Sequence, residues 1–490
     1  MTEPIKTTDN TTVPLPVEIV VDPEVNEKTI DIAFQQWLDN QPRYRLLEDY
    51  YLGRHRFSSV HQGDGQNKIV ANHCKYITDV LVGYQYGNEP RYTTADSDKY
   101  GSDIIELMQK QNKWNVDKSI GEDMSIFGET LELVFMPKDK DIPDSIEIDP
   151  RHGFVAFAGD VERDSVFGVI VFSYKNNRDI LTYHIYVYDT ANISEWEADA
   201  NVDAPRTWTR VSGPIPHGFG RVPIIKYKNN RRAMSDFESI IELQDAYNSL
   251  LSDRQDNQDS FAQAMLVLSG SVIGLTADEI NEGKEELKKH KVLQLDDDAV
   301  AQYLVKTTDE AGVQIVQDQY ASDIHKFAMV PDLSDEQFMG NASGVAMSYK
   351  LFGTDQIVSG KQAEVQKGFT RRCKLYDYRI NNPTMSPNYE PRSMIEEMKI
   401  TFNLNTPQDI AYVTTAVTQL TGANILSRKT ARTLISAIAD PEKEDELVKE
   451  EQDADAQRTK DTFDYDEVEE QNKLLNNVPR KDEDEDNTEE

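Results

Sequence analysis

Between Asp236 and Leu268 the chain runs 33 residues without a glycine or proline, and nothing else in the sequence constrains the fold as much. Phe237, Ile240, Ile241, Leu243, Tyr247, Leu250 and Leu251 keep helical spacing, which resumes at Phe261, Met265 and Leu266. Between them, Ser252–Ser260 is polar throughout (SDRQDNQDS). One continuous helix over this run would be about 50 Å long at about 1.5 Å per residue. A polar waist in so long a helix suits a face turned to water or to a neighbouring copy better than a monomer core. Ser269–Lys306 then reads as a small module: a short helix (Ala277–His290), a strand (Val292–Leu295), an Asp296-Asp297-Asp298 turn and a strand (Val300–Val305). A second long helix follows, capped by Thr307 or Thr308 and carrying Val313, Val316, Tyr320, Ile324 and Phe327 at three- and four-residue spacing. It must stop near Val330, because Pro331 disfavours helical backbone in the residue before it. Two long helices with a module at their far end make a stalk with a knob.

The rest predicts an α+β protein, mainly helical. Ile30, Ala33, Phe34, Trp37 and Leu38 share a helix face, and Pro42 is expected to start a second short helix that stops at Gly53. Asn67–Tyr84 and Leu107–Phe127 read as amphipathic helices. Thr130–Met136, Phe154–Ala158, Phe167–Tyr174 and Leu181–Tyr188 read as a meander of strands. Beyond Pro331 a loop-rich segment precedes a helix from about Lys361 to Ile380, with basic residues at Lys367, Arg371, Arg372 and Lys374. Ile395–Leu404 alternates like a strand. Two helices close the pattern, one begun by Thr406-Pro407-Gln408-Asp409 and ended at Gly422, the other capped by Ser427 and running to Ile438.

Charge excludes one class of function. The net charge is −35, and the segment from Asp440 to Glu490, with 22 acidic and 7 basic residues, carries 15 of it. That end reads as a solvated, disordered tail. The body stays acidic without it, so the chain lacks the basic patch by which nucleic-acid binders neutralise phosphates. Two cysteines, Cys74 and Cys373, rule out a disulfide framework and suit a reducing cytoplasm. The Thr/Pro-rich, acidic opening is not expected to act as a secretion signal, and no apolar run reaches membrane-spanning length.

Catalytic motifs are absent: no GxxxxGK[ST], HExxH, GxSxG or CxxC occurs. Three clusters invite a metal reading. His55, His61 and His73-Cys74 match no zinc spacing and read better as helix-face and loop residues. Asp253, Asp256 and Asp259 recur every third residue and could line one helix face as metal carboxylates, or form a solvated or inter-subunit polar face. Asp96-Ser97-Asp98 with Gly101 opens like a calcium loop, but Tyr100 and Leu107 occupy positions where ligands are needed. No metal, cofactor or catalytic residue is assigned.

The stretch HGFGRVPIIKYKNNRRAMSDFESIIELQDAYNSLLSDRQDNQDSFAQAMLVLSG (His217–Gly270) resembles the most recognisable part of portal proteins from long-tailed phages of Gram-positive hosts. Tyr50–Phe57 with Asn67–Pro90, and DLSDEQFMGNASGVAMSYKLFG (Asp332–Gly353), resemble that family too, in the same order. The resemblance extends over about residues 30 to 440. It implies an elongated subunit of a ring, usually of twelve, at one capsid vertex of the virion, assembled in the host cytoplasm. After an N-terminal arm (1–25), the implied parts are a wing (26–235), a first stem helix (236–268), a small α/β clip (269–306) and a second stem helix (307–330). A tunnel loop with a long helix returning to the wing (331–405), a helical crown (406–440) and the acidic tail (441–490) follow.

By the same resemblance Lys350, Leu351, Phe352, Gly353, Thr354, Asp355, Gln356 and Ser359 would form the tunnel loop beside DNA, with Lys361 as a second weak cation. Asp253, Asp256 and Asp259 would face the channel, and Asp296, Asp297 and Asp298 would lie in the clip. The implied partners are other copies of the chain, double-stranded DNA passing without tight binding, terminase, scaffolding protein, major capsid protein and a head-completion adaptor, with no membrane. An acidic conduit agrees with the composition, since each phosphate gripped by Lys or Arg would trap a sliding duplex. The competing readings are a metal-dependent nuclease built on the Asp253, Asp256 and Asp259 face, and another virion protein such as an adaptor or shell subunit.

Overall fold

The computed structural model describes residues 13–56, 67–94, 99–175, 181–201, 205–262, 265–269, 300–304, 310–334, 344–381, 393–405, 410–435, 438 and 443–458. Its packing divides the chain into two units, residues 1–342 with 347–405, and residues 343–346 with 406–490.

In the first unit, helix α1 (Glu27–Tyr51) starts where the Asn26 side chain accepts the Thr29 N–H at 3.0 Å. It continues through Pro42, contrary to the expected restart. Proline removes one helical hydrogen bond there, but burial of Trp37, Tyr44 and Leu47 on both sides holds the helix together. Its early face packs on a six-stranded sheet ordered β1-β5-β6-β7-β8-β9. The strands are β1 (Val20–Val21), β5 (Gly153–Ala158), β6 (Ser165–Lys175), β7 (Leu181–Tyr188), β8 (Asn192–Asp199) and β9 (Thr209–Pro216). β1 joins β5 in parallel and the others form an antiparallel meander. Alternation puts Phe167, Val169, Val171, Ile185 and Val187 against Phe34 and Trp37.

A second sheet, ordered β10-β3-β4, comprises β3 (Glu129–Phe135), β4 (Asp144–Ile148) and β10 (Ile224–Lys228). Helices α2 (His73–Tyr86), α3 (Lys99–Lys110) and α4 (Lys113–Phe127) lie beside it. The expected helix over Leu107–Phe127 is thus two, parted at Asn112, whose φ of 53° breaks the spiral. α2 likewise begins at His73 and not at Asn67. Gly128 (φ 84°) turns α4 into β3, and a Cβ there would meet the Ala233 carbonyl at 2.1 Å.

The stem region departs from its expected outline. A 3-10 turn at Glu238–Ile240 leads into α5 (Ile241–Ala262), and Met265–Ser269 is a strand, β11, where the helix was expected to continue to Leu268. Met-Leu-Val-Leu suits a strand as well as a helix, and pairing with β12 (Val300–Leu304) decides it, Met265 facing Leu304 and Ser269 facing Val300. The two-stranded module therefore begins at 265, not 269. Helix α6 (Glu310–Ala328) ends before Pro331 as expected. The expected cap at Thr307 or Thr308, the helix Ala277–His290, the strand Val292–Leu295 and Asp296–Asp298 lie outside the described residues.

Helix α7 (Gly344–Asn381) is 38 residues long and covers Lys350–Ser359, which was expected to be a loop. Ser393–Glu397 is a 3-10 turn and only β13 (Lys399–Thr401) is strand, paired with β2 (Arg91–Thr93), so the strand expected over Ile395–Leu404 is shorter.

The second unit holds α8 (Ile410–Gly422) and α9 (Arg428–Thr433), the latter capped by Ser427 Oγ accepting the Thr430 N–H at 3.1 Å. α9 stops at Thr433, short of the expected Ile438. Residues 443–458, expected to be disordered, are helical, and Asp445 there pairs with Arg432.

Candidate functional site

α5 and α6 pack side by side as an antiparallel hairpin, its far ends joined by the β11–β12 pair. Arg254, from the polar waist of α5, donates to Gln314 Oε1 and Gln317 Oε1, each at 2.8 Å, and lies 3.3 Å from Glu310. The two expected helices pair with each other, and part of the polar waist of α5 serves to join them.

The rest of the waist has a second use. Gln244, Asn248 and Ser252 are fully buried, each 0% exposed. They sit four residues apart on one side of α5 and bind the extended segment preceding α2. Gln244 Oε1 accepts the His73 N–H at 3.1 Å while its Nε2 donates to the Ala71 carbonyl at 2.7 Å. Asn248 Oδ1 accepts the Ala71 N–H at 3.0 Å, and Ser252 Oγ accepts the Ile69 N–H at 3.0 Å. Asp256 takes the Asn67 N–H at 2.7 Å, and Asp259 takes the Asn67 side-chain amide at 2.6 Å. Four residues of helix rise about 6 Å and two residues of extended chain about 6.6 Å, so the two repeats stay in step. This ladder needs no neighbouring copy, contrary to the expected water- or neighbour-facing waist. Asp256 and Asp259 bind the chain itself; Asp253 and Asp259 are exposed, and Asp256 is half-buried. Among the described residues no group of three His, Cys, Asp or Glu is arranged to hold a metal ion.

The expected tunnel residues are anchored in part. Leu351 is buried, Thr354 Oγ1 donates to the Met329 carbonyl at 2.9 Å, and Asp355 accepts from Tyr84 Oη at 2.5 Å. Lys361, expected as an accessible cation, is 5% exposed and forms an ion pair with Asp236. Lys350 is exposed, as is Phe352. Neither glycine is sterically required: a Cβ on Gly353 would come no closer than 3.5 Å to Met329, and one on Gly360 would meet nothing within 4 Å. The basic residues farther along α7 do not form a phosphate-binding patch. Arg372 is buried between Asp117 and Glu132 at 2.7 Å each, while Lys367 pairs with Glu364 and Lys374 with Glu396.

Sequence reasoning missed a histidine cluster at the base of the hairpin. His73 and His325 rings lie 5.5 Å apart beside a cavity of about 260 Å³ that Tyr76, Asp332 and Ser334 also line. Burial and the neighbouring His325 depress His73 to about 4. The two are 252 positions apart, and no spacing rule connects them. His61, Asp96 and Asp98 lie outside the described residues. Cys74 and Cys373 are buried free thiols.

A model of the phage portal protein family of SPP1 Gp6-like type matches residues 30–458. The portal protein of Bacillus phage SPP1 is 24% identical over 307 residues, 61% of this chain and 59% of that protein. The match thus spans less than two thirds of that relative's length. Among solved structures, a chain in the neck of an empty gene transfer agent particle, computed with C6 symmetry, aligns with a TM-score of 0.43 and 9% identity, covering 74% of this chain and 89% of that one. A chain in the neck of the native particle, computed with C12 symmetry, gives 0.42 and 9%, covering 74% and 90%.

Proposed function

This chain belongs to the SPP1 Gp6-like family of phage portal proteins, and from that membership we propose that it builds the ring at one capsid vertex through which double-stranded DNA is packaged and ejected. The observation that carries the reading is the antiparallel α5–α6 hairpin ending in a two-stranded module, within a segment that the family model covers throughout. In this reading α5 and α6 are the stem and β11–β12 belong to the clip. Residues 26–235 are the wing and residues 406–440 the crown. Terminase and the head-completion adaptor dock at the clip, while scaffolding and major capsid proteins meet the rest of the ring during assembly.

Exposed apolar side chains support a ring. Ile315 (70% exposed), Val316 and Phe327 on α6, with Tyr349 (79%) and Phe352 on α7, leave more apolar surface in water than a monomer gains from. Neighbouring copies would cover it. The charge of −35 supports a conduit that repels the duplex from all sides. The role is structural: terminase drives the DNA, and this chain supplies the passage.

The segment Lys350–Ser359 is the part we assign to approach DNA. As a helix it carries Gly353, and Gly360 follows directly, each costing about 1 kcal/mol relative to alanine. Packing requires neither, so the helix is weak where a moving segment would need it to be.

Mass photometry with negative-stain imaging tests the ring. A particle of roughly 670 kDa with a central hole is expected from twelve subunits of 55.8 kDa. A chain that stays monomeric even with scaffolding protein present would overturn the reading.

A further inference from the structure

His55 follows α1 and is 1% exposed, with both ring nitrogens engaged. Nε2 lies 3.0 Å from the Tyr50 carbonyl, so it carries the proton. Nδ1 lies 2.7 Å from Asn248 Nδ2, so it accepts. Asn248 is committed at its other end, where Oδ1 takes the Ala71 N–H. Neutral imidazole, amide and peptide group therefore form one unbroken run of donors and acceptors, and it includes a rung of the ladder between α5 and residues 67–73.

A second proton on the ring breaks that run. An Nδ1–H would face the Nδ2–H of Asn248, donor against donor. Turning the amide round satisfies His55 but sets Nδ2–H against the Ala71 N–H. The Asn72 side chain is also within hydrogen-bond reach of the ring. Its Oδ1 already caps α2 at Lys75 N, and its Nδ2 donates to the Tyr51 carbonyl. Even if it took the proton, Asn248 Nδ2 would be buried without an acceptor, an arrangement that disfavours the closed state.

The surrounding charges pull both ways. Asp245 of α5 favours the proton, though its carboxylate is held by Tyr50 Oη at 2.6 Å. His73 on α2, whose charge is coupled to that of His55, disfavours it. Tyr50 stacks on the imidazole at 4.7 Å. Burial is the largest influence and holds the ring neutral.

We propose that His55 is a proton switch that releases residues 67–73 from the first stem helix on acidification, loosening the stem from the helix α2 that follows. At neutral pH the imidazole completes the ladder. Once protonated, it favours the open arrangement, in which the ring and the amide are hydrated separately. The switch rests on these contacts alone and holds or fails independently of the ring assembly.

Hydrogen–deuterium exchange by mass spectrometry on the full-length protein tests it, reading peptides across residues 67–74 from about pH 7.5 to about pH 5.5 with labelling times scaled for intrinsic exchange. His55 alone is expected to raise opening roughly fivefold between about pH 6.5 and about pH 5.5, as the open state takes the proton and the closed state does not. His73, held down to about 4 in the closed state, adds to the same acid dependence wherever opening frees it, so the share of His55 is read as the difference between the natural chain and the variants. His55→Asn offers an oxygen in place of Nδ1 and cannot titrate, so its protection should fall less than that of the natural chain as pH drops. Asn248→Asp keeps an acceptor for Ala71 and gives the imidazolium a carboxylate, so acidification should reduce protection there much less than in the natural chain. Protection in the natural chain that is the same at both ends of the range would overturn the switch. So would an Asn248→Asp protein that keeps the natural pH dependence, an outcome readable even if His55→Asn does not fold.

Discussion

Asp123 of α4 and Glu147 of β4 are close enough to share a proton. Burial, then the hydrogen bond and the charge of Glu147, push the Asp123 carboxyl well above its usual range. Thr130 donates to Asp123 at 3.3 Å, and Glu147 Oε1 is buried without a hydrogen bond. A carboxyl raised in the folded state stabilises the fold at low pH and loses that contribution as pH rises through the folded value. Asp123→Asn keeps the shape and removes the charge. The variant should gain stability over the natural chain at pH about 8, with little gain at pH about 5, on the order of 1 kcal/mol in urea unfolding. An equal effect at both pH values would mean that the pair does not hold a proton. Residues of this kind are invisible beforehand, because Asp123 and Glu147 meet only when α4 packs on β4.

At the scale of elements, α5 joins two uses that a helical wheel keeps apart. Its apolar positions Ile241, Leu243 and Tyr247 pack into the core shared by α1, α2, α6 and α7, and its amide, hydroxyl and carboxylate positions hold an extended strand. A polar stretch can thus be buried when its repeat matches the peptide groups of a neighbour. For α7, the glycines lead to a prediction about movement. Gly353→Ala with Gly360→Ala should fit without clash and strengthen the helix by about 1 kcal/mol at each site. Rings should form as before and melt higher, while the amount of nuclease-protected DNA in a packaging reaction falls. Undiminished packaging would mean that this segment works as a helix throughout.

At the scale of the whole molecule, charge sets the terms of assembly. Subunits carrying −35 each repel one another, and the repulsion is screened over about 10 Å at about 0.1 M salt. The ring fraction in mass photometry should therefore rise with added sodium chloride. A protein that gripped DNA through cations would instead lose affinity as salt rises. A ring fraction that falls with salt would mean that ion pairs between copies, and not apolar contact, hold the assembly.

Much of this fold was legible in one dimension. The long-helix periodicity of α5 and α6, the stop before Pro331, the strands Phe154–Ala158, Phe167–Tyr174 and Leu181–Tyr188 of the meander (Thr130–Met136 instead joins the second sheet), the Ser427 cap and the family resemblance all depend on patterns local to a segment, and local patterns survive without a third dimension. What depended on distant partners was not legible. Met265–Ser269 is a strand because Val300–Leu304 lies beside it. Lys361 is an internal ion pair and not a DNA contact because Asp236, 125 residues earlier, is folded against it. Asp256 accepts the Asn67 N–H and Asp259 the Asn67 side-chain amide because Asn67 comes to them. Periodicity tells how a segment curls and which face is apolar. Only packing decides which partner a polar group finds, since a carboxylate or amide is equally suited to water, a metal, a cation or a peptide group until one of them is brought within about 3 Å.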